Sequence, residues 1–369
     1  MTARVVTLFL GGDVMLGRGI DRILPHPGDP TLHESHARSA ELYVRLAEAA
    51  HGPIPRHAGF DYVWGDALAA LRVARPDLRI VNLETSVTVS DDPWPKGINY
   101  RMSPANVPCL AAAEIDCCGL ANNHVLDWGE AGLLETLATL RQAGIRIAGA
   151  GRDAAAAAAP AALPLPGGGR VLVHAFAAQD SGVPRAWAAT GTRPGVALLP
   201  DLAAATAARI AAEADAGRQP GDLLVASVHW GGNWGWEVPA RHRGFAHALL
   251  EGGFDLLHGH SSHHAKGIEL YHGKLILYGC GDFINDYEGI AGYEQFRPDL
   301  SVMYLARLHA AGGALAALTL VPFQARRFRL RRAPAAEAAW LRATLARESA
   351  GWGVAIAAQD DTTLVVGPG

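Results

Sequence analysis

Four histidines, His258, His260, His263 and His264, fall within seven residues of one another. They begin in a short apolar run that is typical of a buried strand, and they continue past a glycine where the chain can turn. A divalent cation binds several neutral imidazoles together, whereas neighbouring imidazoles repel one another once they are protonated. The cluster therefore favours a metal site over a solvated histidine-rich loop.

Other residues of metal-binding types stand at the ends of further predicted strands. Asp13, Glu84 and His229 each follow a strand-like run, and the pair Asn123 and His124 follows another. In open α/β sheets the loops at the strand ends converge, and ligands bind there. Taken one at a time, such residues are also common in turns and helix caps. Their repeated placement at strand ends predicts one shared site.

The loop predicted at residues 93–108 carries basic side chains near this edge of the sheet. Lys96 and Arg101 in this loop are candidates to hold an anionic substrate. The alternative is that both side chains are simply solvated, as most charged loop residues are. The sequence alone leaves both interpretations open.

The composition is that of a large globular α/β protein. Of the 369 residues, 50% are hydrophobic and 18% charged, and the net charge of -4 gives no general attraction to nucleic acid or to anionic membranes. We expect one large domain over residues 1–325, with residues 326–369 as a helical and extended C-terminal addition packed on it. Nucleic acid is not an expected partner.

The cysteines and the apolar N-terminal run indicate the cellular compartment in which we expect the protein. Cys109, Cys117, Cys118 and Cys280 lie in apolar surroundings and form no Cys-x-x-Cys motif, which favours reduced core thiols over disulfides or a thiolate zinc site. The apolar run at residues 5–10 is too short for a signal peptide or a membrane span. We therefore expect no export signal, no direct membrane insertion and a cytoplasmic location.

Strand-like runs alternate with helical segments through most of the chain. Residues 115–148 read as a βαβ unit, and residues 32–74 are mostly helical in period. Residues 268–278 form a predicted hairpin around a His-Gly turn, and residues 302–308 and 315–321 read as two more antiparallel strands. The predicted fold class is α/β (α+β), with candidate ligands at the strand ends.

Five motifs, taken in order, resemble those of the CapA family, which is named for poly-γ-glutamate capsule synthesis and belongs to the calcineurin-like metallophosphatase superfamily. The resemblance runs from about residue 5 to about residue 320 and implies a four-layer α-β-β-α sandwich with metal at the strand ends. The motifs are GDVMLGR at 12–18, NLET at 82–85, ANNH at 121–124, VHWG at 228–231, and GHSSH at 259–263 followed by GIE at 267–269.

The resemblance also implies roles for individual residues. It makes Asp13 a ligand of one metal ion and Glu84 the carboxylate that bridges two. Asn123 and His229 are implied as ligands of the second ion. The remaining implied ligands are His260 and His263.

Carboxylate and amide oxygens together with imidazole nitrogens suit one or two divalent ions of the Mn, Fe, Zn or Mg class. The resemblance places His124 beside the metal as the acid or base, and Asp127 and Arg18 are further candidate catalytic residues. The candidate substrate-binding residues are Lys96, Arg101 and Trp230.

The chain departs from the family pattern at several positions. Met15 stands where the wider superfamily has a histidine ligand, which makes a single-ion site an alternative to a two-ion site. His260 lies one residue before the position at which CapA relatives carry a histidine, so the ligands among His260, His263 and His264 stay open. Asp282 replaces an asparagine and is either a hydrogen-bond partner of a ligating histidine or a turn residue.

Three functions are compatible with these residues. The first is a metal-dependent hydrolase that activates water against an amide, peptide or phosphoester substrate. The second is a metal-dependent peptide epimerase that exchanges a Cα proton. The third is a non-catalytic module that binds an anionic peptide or polyglutamate. Cleavage, solvent deuterium incorporation without cleavage, and metal binding without either reaction distinguish the three.

Overall fold

A computed structural model describes residues 4–369. In this part of the chain the strands are β1 (Val5–Val14), β2 (Leu78–Leu83), β3 (Ser86–Val87), β4 (Arg101–Met102), β5 (Cys117–Gly119), β6 (Arg146–Ala148), β7 (Ala150–Gly151), β8 (Ala161–Pro164), β9 (Arg170–Ala177), β10 (Gly195–Val196), β11 (Leu223–His229), β12 (Leu256–His260), β13 (Ile268–Tyr271), β14 (Lys274–Leu277), β15 (Asp282–Ile284), β16 (Leu300–His309), β17 (Leu315–Ala325), β18 (Leu330–Arg332), β19 (Val354–Asp360) and β20 (Thr363–Pro368). The α-helices are α1 (Arg18–Ile23), α2 (Glu41–His51), α3 (Asp66–Ala74), α4 (Pro108–Ala112), α5 (Gly129–Gln142), α6 (Ala154–Ala158), α7 (Ala204–Ala216), α8 (Ala240–Glu251) and α9 (Ala335–Glu348).

Two large sheets form the centre of the molecule. One sheet has the strand order β19-β20-β17-β16-β1-β2-β5-β6, with β15 also paired to β1 and β18 to β17. The other has the order β13-β14-β12-β11-β9-β8. The sheets meet where Nε2 of His258, on β12, lies 2.9 Å from the carbonyl oxygen of Gly11, on β1. This mixed α/β sandwich confirms the predicted fold class.

The smaller sheet is apolar on both faces because it is covered on both. Successive side chains of a strand point to opposite faces. On β11, Leu223 and Val225 join the core shared with the large sheet, whereas Leu224 and Ala226 join a second core beneath α7 and α8. The helix α5 contributes its buried leucines to the first core. This layering explains the continuous apolar run of β11.

The predicted hairpins and crossover are present. β13 and β14 pair antiparallel around His272 and Gly273, whose φ values of 49° and 77° suit the tight turn. β16 and β17 pair antiparallel, and β5-α5-β6 forms a parallel crossover unit. The region at residues 32–74 is less helical than its period predicts, because only α2 and α3 form and polar loops separate them.

The first strand is longer than predicted. β1 runs through Val14, so Asp13 lies inside the strand rather than beyond its end. The pairing of β1 with β2 shifts register between Leu10 and Asp13. A Cβ at Gly12 would lie 1.7 Å from the carbonyl oxygen of Gly281, so only glycine lets the strand pass there. The extension carries Asp13 to the junction of the two sheets.

The C-terminal residues continue the large sheet. Both β18 and β20 pair antiparallel with β17, and β19 pairs with β20. The alanine-rich run at residues 153–162 forms α6 and the start of β8, a strand that the sequence did not indicate. All four cysteines are free and buried, as expected of core thiols. Across residues 4–369 the helices are all too short or too polar to cross a bilayer.

Candidate metal centre

Strand register brings the candidate ligands to one place. Asp13 on β1 is level with Asn82 on β2 and with Asp282 on β15. On the facing sheet, His229 of β11 is level with His260 of β12. These residues are buried, and they occupy the strand ends where the two sheets meet.

A first group of donors consists of Asp13, His229 and His260. One ligand atom from each lies within 4.8 Å of the others. The Nδ1 atoms of His229 and His260 are 2.9 Å apart, and Nδ1 of His260 is 3.7 Å from Oδ1 of Asp13. The second ring nitrogen of His260 contacts the Ser227 hydroxyl at 2.9 Å, which fixes the orientation of the ring.

A second group consists of Asp13, His263 and Asp282, again with donor atoms within 4.8 Å of one another. Nδ1 of His263 lies 2.9 Å from Oδ1 of Asp282. Burial opposes protonation of His263, but the Asp282 carboxylate raises its pKa above the usual value. Asp282 thus contacts a candidate ligand, in agreement with its interpretation as a hydrogen-bond partner of a ligating histidine.

Glu84 and Asn123 lie on the side of the first group that faces His124. Oε1 of Glu84 is 3.7 Å from Nε2 of His229, and Oδ1 of Asn123 is 3.1 Å from the same nitrogen. The resemblance implies that Glu84 bridges two ions, whereas the residue common to both donor groups is Asp13. Asp13 is thus the carboxylate that the two donor groups share, and Glu84 lies beside the first of them.

Among residues 4–369 no Lys or Arg side chain forms an ion pair with the two buried carboxylates of this centre, Asp13 and Glu84. Burial, and then the nearby Asp282, raises the pKa of Asp13 to about 7. Burial and then Asp13 raise the pKa of Glu84 well above its usual range. Oε2 of Glu84 is buried and has no hydrogen-bond partner among residues 4–369. A buried carboxylate with an unsatisfied oxygen beside imidazole nitrogens fits a divalent cation.

Two residues that hold Asp13 were not recognised from the sequence. Asn82 donates from Nδ2 to Oδ1 of Asp13 at 2.7 Å, and the backbone N–H of Ser261 donates to Oδ2 at 3.0 Å. Ser261 has a φ of 97°, an unfavourable conformation for a residue with a Cβ. The position of Asn82, two residues before Glu84 on a strand, is the one sequence signal that could have indicated its inward direction.

His124 stands beside the donor groups in a chain of polar contacts. Its Nδ1 lies 2.6 Å from Oδ2 of Asp127, and its Nε2 lies 3.8 Å from Oε1 of Glu84. Nζ of Lys96 lies 2.6 Å from the other Asp127 oxygen. Burial, followed by Lys96, lowers the pKa of His124 well below its usual value, and burial raises that of Asp127 to about 7. The ring is therefore neutral, with Nε2 directed at Glu84.

The remaining histidines of the cluster lie outside both donor groups. His258 uses Nε2 for Gly11 and has Nδ1 3.2 Å from the Ser227 hydroxyl, so both nitrogens are engaged. His264 stacks on Phe296 with ring centroids 4.9 Å apart and meets Trp236 edge-on at 4.4 Å. His260 and His263 are thus the two members that the structure brings to Asp13.

Three other candidates lie apart from the donor groups. Arg18 is buried in an ion-pair cluster of its own. Arg101 donates to the carbonyl oxygen of Ser90 at 2.7 Å and lies over the Trp128 ring. Trp230 follows the inward-facing His229, so it points outward into the second core.

A cleft of about 220 Å³ opens next to the second donor group. His263 lines it, and the hydroxyl of Tyr287 lies 3.4 Å from Nε2 of His263. Arg18 lines the opposite part of the cleft together with several aromatic side chains. His263 is thus the residue that the cleft shares with the second donor group.

Comparison with known proteins identifies the family. The model of the family described as bacterial capsule synthesis protein PGA_cap matches residues 7–287. The chain belongs to this family. That membership confirms the resemblance to CapA proteins, and it relates the chain to the metallophosphatase-like superfamily, in agreement with the fold.

Individual relatives extend over nearly the whole chain. A probable polyglutamine synthesis accessory protein of Mycobacterium tuberculosis is 47% identical over 366 residues, which are 99% of this chain and 96% of the relative. The PGA biosynthesis protein CapA of Bacillus subtilis is 26% identical over 82% of this chain and 68% of its own length. The capsule biosynthesis protein CapA of Bacillus anthracis is 24% identical over 86% of this chain and 67% of its own.

Proposed function

We propose that this CapA-family protein is a metal-dependent hydrolase that acts on an amide, peptide or phosphoester bond. The observation that carries the proposal is the pair of buried donor groups that share Asp13, with the neutral ring of His124 facing them across Glu84. Hydrolytic sites of this class need a cation-binding centre and a proton-transfer group in one cavity. The chain offers both.

The residues proposed to hold the cation are Asp13, Glu84, Asn123, His229, His260 and His263, and Asp282 orients His263 through its contact with Nδ1. When bound, a divalent cation supplies Lewis acidity to this centre. Asn82 and Ser261 keep Asp13 in place by donating to its two oxygens. The contact with Asp282 directs Nε2 of His263 towards Tyr287 and the cleft.

His124 is the proposed proton-transfer residue. In the proposed tautomer Nδ1–H donates to the Asp127 carboxylate, although Nζ of Lys96 also lies 3.2 Å from Nδ1, and Nε2 is left as a base. Nε2 accepts a proton from the attacking water and returns it to the leaving group. Lys96 pairs with Asp127 and contacts the carbonyl oxygen of Asn123, which holds the loop against the centre.

The setting of the reaction is proposed from the relatives. Their names refer to polyglutamine, PGA or capsule synthesis, and one is called an accessory protein. We propose an accessory biosynthetic role for this chain as well. The names state no bond that is broken, so the reaction rests on the geometry of the site.

The test begins with protein purified without chelator, whose metal content is measured by mass spectrometry. We expect at least one transition-metal-class ion per chain and cleavage of members of a phosphoester and peptide panel. His124→Gln should keep the metal and the melting temperature but lose about two or more orders of magnitude in rate. His174→Gln, a buried histidine far from the donor groups, is the matched control.

Loss of metal or fold in His124→Gln would make His124 a ligand or a structural residue. Metal binding without cleavage of any panel member would count against the hydrolase.

Exchange of a Cα proton is a second candidate reaction. The observation that favours it is the position of the His124 ring, which Asp127 holds at Nδ1 while Nε2 lies on the side of Glu84 and the donor groups. The same panel in deuterated water separates the two reactions. Deuterium at Cα without cleavage supports the epimerase, and cleavage products support the hydrolase.

A further inference from the structure

The cleft beside His263 has walls made mainly of aromatic rings. The rings of Trp234 and Tyr293 stack with centroids 4.1 Å apart and planes 10° from parallel. On the other side, the hydroxyls of Tyr100 and Tyr287 are 2.9 Å apart, so these two polar tips already contact each other. The ring faces and edges that remain offer apolar contact to a ligand.

Exposed apolar side chains concentrate at the rim of this cleft. Six large hydrophobic residues of the described chain are exposed, and three of them line the cleft, namely Ile98 at 38%, Ile290 at 37% and Tyr293 at 39%. The other three lie elsewhere on the surface. Contiguous exposed apolar groups at the mouth of a cavity are typical of a binding site.

The charged groups that line the cleft are already paired. Arg18 donates to Asp286 at 2.5 and 3.1 Å and to Glu34 at 2.9 Å. The exposed ring of His36 lies 3.3 Å from the second oxygen of Glu34. His263 contacts Asp282, as described above.

The lining of the cleft contains no carboxylate, and each basic group in it is already paired with a carboxylate that lies behind the wall, namely Glu34, Asp282 or Asp286. An acidic side chain placed in the cleft would have to compete with these buried carboxylates for the same basic groups. An uncharged side chain meets no such penalty.

We propose that the cleft binds an uncharged apolar side chain of an amide or peptide substrate, next to the bond that reacts at the Asp13 centre. The proposal rests on the hydrolase function proposed above and specifies its substrate. At about 220 Å³ the cleft is smaller than sites that enclose a whole drug-sized ligand, and it suits one side chain.

Binding of two simple amides tests the proposal independently of turnover. N-acetyl-L-phenylalaninamide and the α-amide of N-acetyl-L-glutamate are titrated into the full-length protein, both as purified and after chelation, and binding is followed by isothermal titration or ligand-observed NMR. We expect the phenylalanine probe to bind about tenfold or more tightly than the glutamate probe. The preference should persist after chelation, because the cleft does not depend on the metal.

Variants at the rim locate the binding. Tyr293→Ala should weaken binding of the phenylalanine probe about three- to tenfold, because it removes half of the stacked aromatic wall. Val73→Ala removes an exposed apolar side chain on α3, far from the cleft, and should leave binding unchanged. Ile290→Lys adds a cation at the rim and should improve binding of the glutamate probe.

Equal or tighter binding of the glutamate probe would overturn the proposal. So would equal effects of Tyr293→Ala and Val73→Ala, or failure of both probes to bind at millimolar concentration. Because the assay measures binding, its result can be interpreted even if the protein cleaves none of the substrates and the hydrolase proposal fails. Cleavage without the apolar preference would refute only the cleft proposal.

Discussion

Two clusters of buried charge lie at the same edge of this molecule, and they differ in how completely their charges are satisfied. In the cluster of Arg18, Glu34 and Asp286, a single guanidinium donates to both carboxylates, and its face lies 3.7 Å from the centroid of the Tyr43 ring. At the candidate metal centre, Asp13 and Glu84 are buried together with raised pKa values, and Oε2 of Glu84 lacks a partner in the described chain. The feature that points to a ligand at this centre is thus the unsatisfied carboxylate oxygen among imidazoles, and burial of charge alone does not.

Breaking the satisfied cluster should have the largest effect on stability. Arg18→Met leaves two buried carboxylates without their cation, so we expect a loss of about 3–5 kcal/mol in the free energy of unfolding. Urea denaturation with and without added metal measures it. The loss should be the same in both conditions, and a loss that metal restores would mean that Arg18 belongs to the metal centre.

Removing a carboxylate from the unsatisfied centre should act on metal binding instead. Glu84→Ala is expected to weaken metal affinity by about 100-fold or more, because it removes a charge placed next to His229. His264→Ala is the matched control from the histidine cluster, and its metal content should stay near wild type since its ring stacks on Phe296. Equal losses in the two variants would show that the ligands within the cluster are assigned wrongly.

A buried histidine with no charged partner shows what burial alone does. Burial lowers the pKa of His174 to about 4. The neutral ring favours the folded state, so its contribution is present above about pH 6.5 and is lost as the pH falls towards 4. Between pH 7.5 and pH 5 this amounts to about 2 kcal/mol of unfolding free energy.

Relative to wild type, the free energy of unfolding of His174→Leu should therefore rise by about 2 kcal/mol when the pH is lowered from about 7.5 to about 5. Urea denaturation at both pH values measures the change. The exposed histidine variant His26→Leu is the control, and its profile should run parallel to wild type. A parallel profile for His174→Leu as well would contradict the assignment of the pH dependence to burial.

The smallest effect is expected at the contact that orients His263. Asp282→Asn keeps the shape but removes the charge beside Nδ1, and metal affinity should fall about tenfold. Asp180→Asn changes a similar carboxylate that lies 2.7 Å from His242, outside the donor groups, and should leave affinity unchanged. A loss as large as that of Glu84→Ala would make Asp282 a direct ligand.

The candidate centre was partly predictable from sequence because polar residues that end apolar runs must converge at strand ends. This reasoning located Asp13, Glu84, His229 and His260. Successive side chains along β11 point to opposite faces, so Trp230, which follows His229, points away from the centre and into the second core. The match of a residue to a family motif does not reveal this direction.

The contacts that hold these residues were not predictable. Arg18, the first residue of α1, and Asp286, which follows β15, are 268 positions apart, and only the tertiary fold brings them together. The aromatic wall of the cleft joins Trp234 to Tyr293 in the same way. Such pairings depend on tertiary packing, which local patterns do not encode.

The central position of β1 has a consequence for synthesis on the ribosome. Asp13 receives contacts from Asn82, Ser261 and the strand that begins at Asp282, and β1 pairs on its other side with β16. At about 5–20 residues per second, the roughly 270 residues between Asp13 and Asp282 take about 15–50 s to emerge. Until then β1 and the buried carboxylate of Asp13 lack their pairing with β15 and β16. The nascent chain therefore exposes the apolar side chains of β1 to aggregation during that interval.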